Sequence, residues 1–190
     1  EKLTKKRATE VSGIKTIYWL DQFETIFRQL VIESESVYLN SNEHLRTSNS
    51  METREDRFVK KFISDFPIHP TLRVAPIMHQ IRSVKDSIEI EIMKKACDIT
   101  EKGFRRILSF IKPEVMEYEI EAELMHEFLS NRSKGFAYTP IIASGQSACV
   151  LHYIENNKSC KDGDIILMDF GAEYANYASD LTRCVPVNGK

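Results

Sequence analysis

The stretch Ile165-Ile166-Leu167-Met168-Asp169-Phe170-Gly171-Ala172-Glu173-Tyr174-Ala175-Asn176-Tyr177-Ala178-Ser179-Asp180-Leu181-Thr182-Arg183-Cys184-Val185 decides how this chain is read. The four apolar residues before Asp169 suit a strand buried on both faces. The five residues after Asp180 are also strand-like. A hairpin with a tight turn at Tyr174-Ala175 would set Asp169 directly opposite Asp180, with Cβ atoms about 4.5–5.5 Å apart. Two like charges placed there repel and are poorly hydrated, and a cation between them resolves the conflict. A two-metal site, with ions about 3.5–4 Å apart, needs bridging carboxylates of this kind. Spacing alone leaves a second reading open, in which both aspartates are solvated turn residues in another register.

Composition narrows the function classes. At 190 residues the chain can hold one large domain or two small ones around a substantial core. A formal net charge of −2 gives no reason to expect nucleic acid or an anionic membrane as partner. No apolar run approaches the ~20 residues needed to span a bilayer. Cys97, Cys149, Cys160 and Cys184 form no C-x-x-C and no zinc-ribbon spacing. The expectation is a cytoplasmic protein with free, buried thiols. Asn131-Arg132-Ser133 and Asn157-Lys158-Ser159 are formal glycosylation sequons, read here as chance matches. The chain begins at Glu1 without an initiator methionine, so a preceding segment is expected.

Working back from the two-aspartate stretch, the chain changes character near Pro76–Lys85. Before it, residues 1–7 read as a frayed charged end. Apolar groups at 20, 23, 26, 27, 30 and 31 give helical spacing from Ile17 to Val31. Ser36-Val37-Tyr38-Leu39 and Leu72-Arg73-Val74-Ala75 read as short strands. Thr53 and Asp56 form a capping-box pattern opening a helix to Phe66. Beyond the change come two helices. The first is capped by Ser87, with Ile88, Ile92, Ala96, Ile99, Ile107, Leu108 and Ile111 as its buried stripe and Pro113 as its stop. Gly103 is its interior weak point, costing up to about 1 kcal/mol relative to Ala. The second runs from Glu117 to Asn131, with Ile120, Leu124, Met125 and Phe128 inward. Strands follow Gly135. Helices followed by antiparallel strands predict an α+β fold.

Several ordered blocks carry a family resemblance. They are Tyr138-Thr139-Pro140-Ile141-Ile142-Ala143-Ser144-Gly145, Leu151-His152-Tyr153, Gly163-Asp164, the two-aspartate stretch, and Pro186-Val187-Asn188-Gly189-Lys190. Together they resemble the catalytic domain of the Xaa-Pro aminopeptidases (aminopeptidase P), within the creatinase/prolidase pita-bread metallopeptidase family. Residues 82–90 resemble the entry to that domain more loosely. The resemblance implies that residues 1–82 are the C-terminal part of a small α/β N-terminal domain, and that 83–190 are the first half of the pita-bread domain. It implies a metal-dependent aminopeptidase that cleaves between an N-terminal residue and a following proline. A prolidase-like dipeptidase, or a metal-free homologue acting as a binding module, are the alternatives.

The same resemblance implies site roles. Asp169 and Asp180 would be the first two ligands of a pair of divalent ions, Mn²⁺ being expected. The remaining His and two Glu ligands would lie after Lys190, so residues 1–190 alone are expected to be inactive. His152, on an expected strand, would act in catalysis by contacting substrate or transition state. Tyr138 would line the substrate pocket, an ordinary core role being the alternative. Thr182 shares the strand parity of Asp180 and would hydrogen-bond a ligating carboxylate. Arg183 reads as an ion-pair partner and Glu173 as solvated. The implied substrate is a peptide with proline second, and the implied parent is a homo-oligomer.

Two short matches carry nothing. Asp169-Phe170-Gly171 spells the kinase magnesium triplet, but no Gly-rich loop, H-R-D or V-A-I-K accompanies it. Gly145-Gln146-Ser147-Ala148-Cys149 lacks the second glycine of a nucleophile elbow. Cys149 and His152, three apart on an expected strand, would point to opposite faces and form no dyad.

Overall fold

A computed structural model describes residues 2–41 and 52–190. The chain divides into two compact units, Glu1–Val84 and Lys85–Lys190.

The first unit contains α1 (Lys5–Ser12), α2 (Phe23–Glu33), β1 (Val37–Leu39), α3 (Arg54–Asp65), β2 (Thr71–Arg73) and α4 (Ala75–Ser83). β1 and β2 pair in parallel, Val37 opposite Thr71. Val31, Leu39 and Phe62 form the core, lined by Phe27, Val37, Val59 and Phe66. The capping box of α3 forms as read. Asp56 N–H donates to Thr53 Oγ1 at 3.1 Å and Thr53 N–H to Asp56 Oδ2 at 2.9 Å. The Thr53 N–H and the Thr53 hydroxyl, both donating to Asp56 Oδ2, hold that carboxyl below the usual carboxylate range.

Two local expectations change, and one segment gains a helix. Within the end read as frayed, the chain is helical from Lys5, because Thr4 Oγ1 caps Arg7 N–H. Regular helix in the 17–31 segment starts only at Phe23, after a 3₁₀ turn at Leu20–Gln22. Pro76 opens α4 within the segment read as a boundary, since a first-turn proline loses no helical hydrogen bond.

The second unit contains α5 (Ser87–Phe110), α6 (Glu117–Ser130), β3 (Gly135–Phe136), β4 (Ile141–Ser144), β5 (Ile165–Phe170), β6 (Ala172–Tyr174), β7 (Tyr177–Ala178) and β8 (Leu181–Pro186). The strands make two antiparallel three-stranded sheets, ordered β3-β6-β7 and β4-β5-β8. Ile99 and Ile107 of α5, Ile120, Leu124 and Phe128 of α6, and Ile166, Met168 and Phe170 of β5 share one buried cluster.

Asp86, not Ser87, caps α5. Its Oδ1 accepts Glu89 N–H at 2.8 Å, while Glu89 Oε2 accepts Asp86 N–H at 2.8 Å. The longer carboxylate reaches the first-turn donor and gains from the helix dipole. The buried stripe of α5 is shorter than read, with Ile88 and Leu108 exposed. Gly103 is a packing requirement. A Cβ there would meet Phe128 Cε1 of α6 at 2.7 Å. β5 is buried on one face only. Ile166, Met168 and Phe170 are fully buried, while Leu167 and Asp169 on the other face are half-buried.

Candidate metal centre

β5 and β8 are the arms of one long hairpin whose far end is β6 and β7. Asp169 lies opposite Thr182 and Phe170 opposite Leu181. Further along, Glu173 faces Ala178 and Tyr174 faces Tyr177. The turn residues are therefore Ala175 and Asn176, at φ 49° and 68°. This corrects the expected turn at Tyr174-Ala175 and the direct pairing of Asp169 with Asp180. A two-residue turn of this hand needs positive φ at both positions, and asparagine tolerates it well. The Glu173 carboxylate also accepts Asn176 N–H, so Glu173 is half-buried and tied to the turn, where solvation was expected. The turn moves by one residue and the register by two. Strand parity survives, and the aspartates stay on one face as diagonal neighbours.

Diagonal neighbours in a regular ladder stand about 7–8 Å apart. Here the ladder is interrupted between the two sheets, at Gly171 on one arm and Ser179-Asp180 on the other. The backbones approach so closely that a Cβ on Gly171 would lie 1.8 Å from the Ser179 carbonyl oxygen. Buried hydroxyls stitch the crossing. Ala172 N–H donates to Thr100 Oγ1 at 2.9 Å and to Ser179 Oγ at 3.0 Å, and the two hydroxyl oxygens are 2.6 Å apart.

Tyr138 lies on the link between β3 and β4. Ala137 N–H donates to the Gly171 carbonyl at 2.8 Å, and Ile141 pairs with Asp169. The phenol reaches both carboxylates: Tyr138 Oη is 2.6 Å from Asp169 Oδ1 and 3.0 Å from Asp180 Oδ1. Burial pushes the phenol's pKa up, and its bonds to Asp169 and Asp180 push it further. Tyr138 is therefore a neutral hydroxyl with one proton to donate. One proton cannot fully serve two carboxylates. Among the described residues no Lys or Arg is ion-paired with either aspartate.

This arrangement fits a divalent ion. Two converging carboxylates are hard oxygen donors whose mutual repulsion a cation relieves. They are two ligands and no more. Among the described residues no group of three or more His, Cys, Asp and Glu side chains could hold a metal ion.

The structure brings Tyr138, Asp169 and Asp180 together. Thr182 stands directly across from Asp169 but is exposed, and among the described residues it makes no hydrogen bond to either carboxylate. The hydroxyl that bonds both carboxylates is that of Tyr138, whose longer side chain reaches both oxygens. Arg183 Nη1 bonds the Thr182 carbonyl at 2.7 Å, where an ion pair was expected.

His152 is not on a strand. It follows a 3₁₀ turn at Gly145–Cys149 and sits exposed in an irregular loop at φ 56°. A non-glycine residue held there costs on the order of 1–3 kcal/mol and persists only where its surroundings over-determine it. Those surroundings are built from two buried residues that the motifs passed over, Glu117 and Asn156. Asn156 Oδ1 accepts Ile142 N–H at 2.9 Å, and its Nδ2 donates to the Pro140 carbonyl at 3.0 Å and to Glu121 Oε2 at 2.9 Å. Glu117 is fully buried at the start of α6. The only sequence sign of Glu117 was an acid in a helix's first turn, which ordinarily means a solvated one.

All four cysteines are free, and Cys160 alone is buried, against the expectation of buried thiols generally. Burial pushes the Cys160 thiol up to about 11. Among the described residues no helix is long and apolar enough to cross a membrane.

The model of metallopeptidase family M24 matches residues 91–190. The Xaa-Pro aminopeptidase of Haemophilus influenzae is 32% identical over 97% of this chain, which spans 41% of that protein. A Bacillus anthracis structure described as an aminopeptidase P matches at TM-score 0.91 and 32% identity, over 100% of this chain and 45% of that one. Zn-substituted Escherichia coli aminopeptidase P in complex with product matches at TM-score 0.86 and 29% identity, over 100% of this chain and 43% of that one. The chain thus spans less than half the length of each. Its α+β architecture is that of part of the pita-bread fold found in aminopeptidase P structures. With half the chain matched by the family model, and with its two aspartates converging on one hydroxyl, the chain belongs to metallopeptidase family M24.

Proposed function

We propose that the protein carrying this chain is a metal-dependent Xaa-Pro aminopeptidase acting on peptides with proline in the second position. The observation that carries the reading is the convergence of Asp169 and Asp180 on Tyr138. It is supported by relatives named Xaa-Pro aminopeptidase. In this reading residues 1–82 belong to an N-terminal α/β domain and 83–190 to the first half of the catalytic domain. The parent is a cytoplasmic homo-oligomer, a location with which four free cysteines agree.

Asp169 and Asp180 would hold two divalent ions, with Mn²⁺ the preferred identity because carboxylate oxygens suit it. When bound, such a pair supplies a Lewis acid and a water whose proton is readily lost. The chain's own residues do the rest. Tyr138, neutral at working pH, orients both carboxylates through its hydroxyl. Its ring borders the substrate side. His152, exposed on its strained turn, binds the substrate and stabilises the transition state without ligating the ions.

The parent enzyme tests this. With Mn²⁺ restored after metal depletion, it should release the first residue from Xaa-Pro tripeptides and longer peptides, and leave Xaa-Ala peptides intact. His152→Ala should lower turnover while metal content holds. Loss of metal in that variant would make His152 a ligand. Cleavage of dipeptides alone would make the protein a dipeptidase.

A further inference from the structure

We infer that Glu117 is a positioning residue for the reaction, acting through His152 by clamping the loop that carries it. This rests on the reading of His152 as a substrate-side group. The Glu117 carboxylate takes four hydrogen bonds, two from the end of β4 and two from the loop that follows it. Ser144 N–H and Ser144 Oγ each donate to Oε1 at 2.7 Å. Tyr153 Oη donates to Oε2 at 2.7 Å and Lys158 N–H at 3.0 Å. The backbone adds Glu117 N–H to the Lys158 carbonyl at 2.9 Å. One buried carboxylate therefore ties both ends of residues 144–158, and also the residue immediately after His152.

The apex between these ties is open. Val150, Leu151, His152 and Ile154 are all exposed, Leu151 at 86%. Nothing at the apex itself enforces the positive φ of His152. The conformation is imposed from its flanks, by buried Tyr153 on Glu117 and by Asn156 on β4. An isolated buried carboxylate is costly, and this one has both oxygens satisfied by donors within residues 144–158. An apolar residue would fill the space, but it could not accept these bonds or fix the spacing of Ser144, Tyr153 and Lys158. That is a reason for a carboxylate here beyond packing.

Glu117→Gln keeps the shape but turns an NH₂ group toward one pair of donors, releasing either Ser144 or Tyr153 and Lys158. Tyr153→Phe removes only the phenol's bonds, to Glu117 at 2.7 Å and a longer one to Asn157 at 3.5 Å, and serves if Glu117→Gln does not fold. Two measurements decide. First, amide exchange over residues 150–158 of the chain should rise about tenfold or more in either variant, with β5 unchanged. Unchanged exchange in that loop overturns the clamp. Second, in the metal-loaded parent enzyme, either variant should lower kcat about 10–100-fold with metal content intact. The same change made on His152→Ala should cost less than about twofold more, because the residue through which it acts is gone. An equal loss in both backgrounds overturns the inference and leaves Glu117 a purely structural group. If His152→Ala is itself fully active, the reading of His152 fails and the link to the reaction fails with it. The exchange result still decides the clamp.

Discussion

Gly171→Ala perturbs the point on which the candidate centre turns. The added Cβ would lie 1.8 Å from Ser179 O, 2.5 Å from Ser179 C and 3.1 Å from Asp180 N. These are backbone atoms, so no side chain can rotate away. Relief requires the two hairpin arms to part by more than about 1 Å, since ordinary carbon contacts begin near 3.5 Å. Overpacking of this kind costs about 1–3 kcal/mol. Parting the arms also breaks the bond from Ser179 N–H to Ala172 O and strains the buried Thr100, Ser179 and Ala172 cluster. At about 1 kcal/mol for the buried hydrogen bond lost, the total reaches roughly 2–4 kcal/mol. That is a large share of a typical domain's 5–15 kcal/mol. The assay is urea unfolding followed by circular dichroism, fitted for the second unit, with amide exchange of β5 and β8 as the local readout. We expect the midpoint to fall, and exchange at Asp180 and Leu181 to rise before that at Ile166. A variant within about 0.5 kcal/mol of the parent would refute the close crossing, and with it the account of how the two aspartates meet.

Two further outcomes follow from burial. Gly103→Ala, which helix propensity alone would make stabilising by up to about 1 kcal/mol, should instead destabilise by about 1 kcal/mol, because the new methyl presses on Phe128; thermal unfolding gives the sign. At pH 8 a thiol reagent should modify Cys97, Cys149 and Cys184 quickly and Cys160 only after unfolding, since burial holds the Cys160 thiol protonated up to about 11. By linkage, the stability that Cys160 contributes is complete below its ordinary value near 9 and is lost as pH climbs toward about 11; alkaline unfolding curves of Cys160→Ala against the parent measure it.

What the sequence disclosed and what it hid have physical causes. The helices from 87 and 117 were legible because their apolar residues recur at helical spacing and Pro113 separates them. The pairing of Asp169 and Asp180 was legible as parity, because any hairpin with a two-residue turn keeps them on one face. Its register was not, because the choice between Tyr174-Ala175 and Ala175-Asn176 rests on Asn176 accepting positive φ. The loop of His152 read as a strand because Val150, Leu151, Tyr153 and Ile154 are apolar. The structure leaves Val150, Leu151 and Ile154 exposed and takes the loop's geometry from Glu117, 35 residues earlier. Long-range hydrogen bonds to a buried carboxylate leave no local pattern. Thr100 and Gly171 are equally silent in sequence, one a helix residue and one a loop glycine until the crossing joins them.

The central claim is that Asp169 and Asp180 hold a divalent ion beside Tyr138. Titrating Mn²⁺ into the isotope-labelled chain and recording amide resonances tests it most directly, because paramagnetic broadening reports position even when binding is weak. The account predicts that signals of Tyr138, Asp169, Asp180 and their neighbours broaden first, and that Asp169→Asn with Asp180→Asn abolishes the effect. Broadening centred elsewhere, or unchanged in the double variant, would contradict it.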